Sequence, residues 1–106
     1  MSGAAPVALA ALAQVVRSKN AGPTTLTIDL FFRDEAGYRR AAGSSSLTAQ
    51  AVAALYLRAP DQVQRFLMPQ ILAIKFSMPR TVCAGDPGDG DVYGAQQHAP
   101  MLGVML

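Results

Sequence analysis

His98 is the only histidine of the chain, and it directly follows Gln96 and Gln97 a short way past Tyr93. Imidazole has its unperturbed pKa nearest neutrality, so it can take or give a proton near pH 7, while a phenol and two carboxamides beside it could orient a substrate. His98 and Tyr93 are therefore the candidate catalytic residues, with Gln96 and Gln97 as candidate binding groups. The competing reading is a hydrogen-bonded structural histidine ahead of an apolar segment. No cysteine or second histidine stands close enough in sequence to suggest zinc.

A second cluster, Arg17-Ser18-Lys19-Asn20-Ala21-Gly22, gathers two cations, a hydroxyl and an amide before a glycine that permits a tight turn. Arg17, Ser18, Lys19 and Asn20 form a candidate substrate-binding set for a carboxylate or phosphate. The same residues also suit an ordinary helix C-terminus, where basic side chains meet the negative end of the dipole. Asp86, Asp89 and Asp91 lie in the run GDPGDGDVYG at 85–94. Their oxygens would suit a hard cation, but their spacing and the missing closing glutamate depart from a calcium loop, so a solvated turn is expected and no metal is assigned. The chain has no phosphate-binding glycine loop, nucleophile elbow or metal-binding helix motif, and no cofactor is expected. An independent enzyme would have to rely on the two polar loops.

The elements that must position these residues are legible as patterns. Leu9, Leu12, Val15 and Val16 recur at helical spacing, which predicts a helix over 7–19, although the β-branched tail leaves a strand open. Residues 24–32 alternate, with Leu26, Ile28, Leu30 and Phe32 on one face: a half-buried strand. Asp34 as N-cap and Glu35 in the first turn predict a short helix around Tyr38. Thr48 is read as the cap of a further helix, with Leu47 stapled to Val52, Leu55 and Tyr56 on the buried stripe, and Pro60 beyond. Residues 61–68 are expected to add a helical turn, since Val63, Phe66 and Leu67 fall on one side. Alternation returns with Leu72, Ile74, Phe76 and Met78, and a third strand is expected over 101–106. If the two alternating strands are neighbours, Asp29 and Lys75 could pair across the sheet.

The 106 residues are expected to form a single α+β domain, a mainly antiparallel sheet with helices packed on one face, behind a flexible tail at 1–6. At 51% hydrophobic and 15% charged, the chain carries more apolar surface than a small monomer needs, so some of it is expected to face another chain. A net charge of +2 is too weak a bias for nucleic acid. The apolar run at 7–16 has no basic residue before it and about half the length of a membrane-spanning helix, so no membrane partner is expected. Cys83, the single cysteine, rules out an internal disulfide and suits a reducing, cytoplasmic setting.

Three blocks, RSKNAGP at 17–23, LAIKFSMPR at 72–80 and GDVYGAQQHAP at 90–100, resemble a small bacterial family of stand-alone chains commonly encoded beside a large subunit of the acyclic terpene utilisation type, called AtuA-like. The resemblance runs from Leu9 to Leu106. Arg17 and Ser18 also resemble the start of an Arg-Ser-Gly-Asp-Lys-Gly turn in the C-terminal ferredoxin-like domain of AtuA-like proteins, from which Lys19, Asn20 and Ala21 depart. The resemblance implies a ferredoxin-like fold, an AtuA-like large subunit as partner within an oligomer, and a share in a hydratase or lyase acting on an anionic carboxylic acid or acyl-CoA. Two other roles fit the same residues: a non-catalytic structural or regulatory oligomerisation module, and a free-standing binder of an organic anion.

Overall fold

The computed structural model describes residues 6–80 and 99–106. Cys83, Asp86, Asp89, Asp91, Tyr93, Gln96, Gln97 and His98, with the readings made of them, lie outside the described residues.

The predicted first helix is one turn only, α1 (Leu9–Leu12), after which the chain becomes strand β1 (Ala13–Asn20). Helical spacing over four apolar residues was ambiguous here, and the β-branched pair Val15 and Val16 decides it, because β2 (Thr25–Phe32) offers a ladder. Ser18 pairs with Ile28 and Val16 with Leu30. The tight turn expected at 17–22 accordingly moves to 21–24, where Gly22 takes φ +97°, a conformation that costs glycine little. Leu26, Ile28, Leu30 and Phe32 of β2 are buried on one face, as their alternation requires.

Helix α2 (Glu35–Ala42) begins where Asp34 accepts a 2.8 Å bond from the Gly37 amide, and it carries a Glu35–Arg39 ion pair at i,i+4. Helix α3 (Ala49–Leu55) begins where the Thr48 hydroxyl accepts from the Ala51 amide at 3.0 Å. Leu47, Val52, Ala53 and Tyr56 turn inward, but Leu55 is exposed instead of buried. A 3-10 turn at Pro60–Gln62 uses proline at its first position, and then the expected helical turn gives way to strand β3 (Gln64–Met68). Only Val63 of the supposed apolar side is buried. Phe66 and Leu67 lie on opposite faces of the strand, and both are exposed.

Strand β4 (Ala73–Pro79) pairs with both β2 and β3, giving a four-stranded, wholly antiparallel sheet of order β1-β2-β4-β3. Ile74, Phe76 and Met78 join the β2 stripe and the helix residues Tyr38, Ala41, Leu47, Val52, Ala53 and Tyr56 in one core. The expected α+β class, with helices over one sheet face, is the one observed. The fold has two layers, the sheet and the helices over it, with both longer helices between β2 and β3.

The expected C-terminal strand is a 3-10 turn (Ala99–Gly103) followed by a single antiparallel bridge between Met105 and Ala8. Leu9 donates to the Val104 carbonyl at 2.9 Å, and Leu106 donates to Val7 at 2.8 Å. Gly103 interrupts any longer ladder, which fits the weak strand tendency of glycine. No helix among the described residues is long and apolar enough to cross a membrane.

Candidate functional site

The sheet face away from the helices is polar and basic, and the strand register builds it in rows. Arg17, Asp29, Lys75 and Phe66 form one row across the four strands; Lys19, Thr27, Ser77 and Gln64 form the next. Asp29 is thus opposite Lys75, as the alternation suggested, but its ion pair is with Arg17 at 3.3 Å. The Arg17 guanidinium also lies 4.9 Å from the centre of the Phe31 ring, a cation–π contact that holds it on the sheet. Among the described residues the ion pairs are Arg17–Asp29 and Glu35–Arg39, so Lys19 and Lys75 have no carboxylate partner there.

Alternation along β1 splits the predicted binding set. Arg17 and Lys19 stand on the basic face, whereas Ser18 is buried on the helix-facing side, where a ligand held by the two cations is out of its reach. A turn could have gathered all four residues; a strand cannot. Asn20 instead accepts a 2.8 Å bond from Arg80 through its Oδ1.

Arg80 leads to a feature that motif reading missed. At the end of the sheet where β2 and β3 start and β4 stops, a hollow of about 330 Å³ is lined by Thr24, Thr25, Gln62, Gln64, Ser77, Met78, Pro79 and Arg80. The Arg80 backbone continues the sheet ladder by donating to Thr24 at 2.9 Å. Among the described residues this space is lined by hydroxyls, carboxamides, one guanidinium and the apolar Met78 and Pro79. Such a set can offer a carboxylate charge-assisted hydrogen bonds from the Arg80 guanidinium. Its sequence signals were the polar alternation Gln62, Gln64 and the Thr24-Thr25 pair, which read as ordinary strand edges.

Beside this hollow, α3 ends in a Schellman motif: Arg58 donates to Ala53 at 2.7 Å and Leu57 donates to Ala54 at 3.2 Å. The residue after the cap in this motif is usually glycine, because it adopts a left-handed conformation. Here it is Leu57, at φ +58° and 89% exposed. Arg58 ties this corner to the hollow, since its Nε donates to the Pro79 carbonyl at 2.7 Å. Tyr56, just before, is buried, and desolvation raises its phenol above the ordinary range against the opposing charge of Arg58 and a backbone bond from Met101.

Among the described residues, no group of three or more His, Cys, Asp or Glu side chains is placed to hold a metal ion. A family model described as a domain of unknown function (DUF4387) matches residues 9–105. No curated protein and no solved structure matches the chain.

Proposed function

The chain belongs to the DUF4387 family of unknown function, and from that premise we propose that it is the small subunit of a two-component assembly with an AtuA-like larger chain. In that assembly it orients the carboxylate or acyl end of a substrate for a hydratase or lyase. Leu57 carries this reading. A non-glycine residue in the left-handed region costs on the order of 1 kcal/mol, and an 89% exposed leucine returns almost none of it through burial within the chain. Strain of this kind persists only where the surrounding structure holds it, here through the Leu57 and Arg58 amide hydrogen bonds, and it clusters at ligand clamps and switch regions. An apolar anchor, seated in a partner, is such a clamp.

The place of the anchor ties docking to chemistry. Arg58, next to Leu57, is bonded to the strand end that lines the hollow. A larger chain gripping Leu57 therefore covers the hollow's rim and excludes water from Arg80, which strengthens its attraction for a carboxylate. The class of partner and of reaction comes from the resemblance of the three sequence blocks. Hydration or elimination next to a carboxyl group needs a proton donor and acceptor, roles proposed for His98 and Tyr93 or for groups of the larger chain.

The test is co-expression with the larger chain. Leu57→Gly should make the isolated chain more stable and the assembly at least tenfold weaker, two effects of opposite sign. Arg80→Gln and His98→Ala should assemble normally and lose turnover, with Arg17→Ala less affected because Asp29 already occupies Arg17. Undiminished partner affinity in Leu57→Gly defeats the docking role; full turnover in both Arg80→Gln and His98→Ala defeats the catalytic one. A purely structural or regulatory module is the second reading, favoured by the exposed apolar strand β3, and it is the one left standing if only turnover is unaffected.

A further inference from the structure

The two edges of the sheet are built differently. β1 carries Arg17 and Lys19 and a register irregularity between Ala13 and Val15, the features that keep an edge from joining another sheet. β3 has none of them. Its one charged residue, Arg65, is turned inward, where its Nη2 donates to the Ala42 carbonyl, and no proline or irregularity interrupts Gln64–Met68. Phe66 is 44% exposed and Leu67 47%, one on each face, and Ile71 just beyond is 56% exposed.

Backbone alternation identifies what this edge offers. The Phe32 and Arg80 amides bond Leu72 and Thr24, each at 2.9 Å, so the even-numbered residues of β4 direct their backbone groups toward β2. The odd-numbered residues Ala73, Lys75 and Ser77 therefore bond β3, at Met68, Phe66 and Gln64. The N–H and C=O groups of Arg65 and Leu67 point outward, and among the described residues no strand takes them.

We propose that this edge pairs antiparallel with the β3 edge of a second copy of the chain, about a twofold axis through Phe66. In that register Arg65 of one copy faces Leu67 of the other, and each such pair exchanges both backbone bonds. Phe66 meets Phe66 in the closely spaced, non-hydrogen-bonded position where aromatic side chains pack best across strands. Gln64 faces Met68, so no like charges are opposed. Neighbouring registers are worse. Centring on Arg65 sets arginine against arginine, and centring on Leu67 brings Arg65 opposite Pro69, which has no N–H to give. The product is one continuous sheet of twice four strands, with the charged β1 edges outermost.

Sedimentation of the purified full-length chain over a concentration series, with hydrogen exchange at each concentration, tests this. A dimer is expected, with the Arg65 and Leu67 amides protected at least tenfold more at high concentration than at low. Leu67→Lys, which sets a lysine opposite Arg65 of the other copy, should weaken dimerisation at least tenfold while circular dichroism stays unchanged. In a Cys83→Ser background, Phe66→Cys should crosslink into a symmetric disulfide dimer when a mild oxidant such as oxidised glutathione is added. A monomer at every concentration overturns the proposal, as does a dimer in which the Arg65 and Leu67 amides exchange freely. Exchange on the unmodified protein decides the matter even if a variant fails to fold.

Discussion

Asp29 sits between two cations in the same row of the sheet, and its replacement gives a measurable test of how that face is balanced. The Asp29 side chain is 8% exposed, the Arg17 side chain 54%, and they meet at 3.3 Å. At an effective dielectric constant of about 20, charges this close attract by roughly 5 kcal/mol before desolvation is counted. About half of the Arg17 side chain is in water, so most of that is cancelled. Exposed pairs are worth about 0.2–1 kcal/mol, while breaking a fully buried pair costs about 3–5. Asp29→Asn, similar in shape but neutral, should therefore destabilise the chain by about 1–1.5 kcal/mol at low salt, or roughly 5–10 °C in Tm. Urea unfolding at about 20 mM and 1 M salt is the assay, because a charge effect shrinks as the Debye length falls from tens of ångströms to about 3 Å. Equal stability of the two proteins at low salt, or a difference unaltered by salt, would refute the charge argument.

Other outcomes follow from the core and its neighbours. Phe76→Ala, at a fully buried position central to both layers, should cost about 3–5 kcal/mol, much of the stability of a domain of this size, read as a shifted urea midpoint; a loss under about 1 kcal/mol contradicts its placement. Tyr56 is protonated more tightly in the fold than in the unfolded chain, whose phenol ionises near pH 10. Its contribution is complete below about pH 10 and is lost as pH rises toward the higher folded value. Tyr56→Phe should lose about 1 kcal/mol at pH 7 with the Met101 bond, and should show a shallower decline in Tm above pH 10. Identical alkaline profiles for the two proteins would rule this out.

What was legible in the sequence is what depends on local periodicity. The stripe Leu26, Ile28, Leu30 and Phe32, its counterpart in β4, and the caps Asp34 and Thr48 are all where alternation and hydrogen-bonding chemistry placed them. β1 and β3 were misread for one reason: apolar residues at spacing three or four look helical, and only the availability of a neighbouring strand makes them extended. That availability is tertiary information. The binding set Arg17, Ser18, Lys19 and Asn20 was split by the same error, since a turn collects consecutive side chains and a strand deals them alternately to two faces. The hollow was invisible because its lining comes from the ends of β2, β3 and β4, and no run of residues contains it. Leu57 did have a signal: a helix pattern that stopped at Tyr56 with no glycine behind it.

The central seam of the sheet joins β2 to β4, and both longer helices and β3 lie between them in the chain. Each outer strand, by contrast, is a close neighbour in sequence of the inner strand it pairs with. Two hairpins can therefore form quickly on their own, while the contact between Ile28 and Phe76 must wait for a large loop to close. The meeting of two half-sheets is the step that topology should make slowest, and until it happens each half shows water an unfinished greasy face.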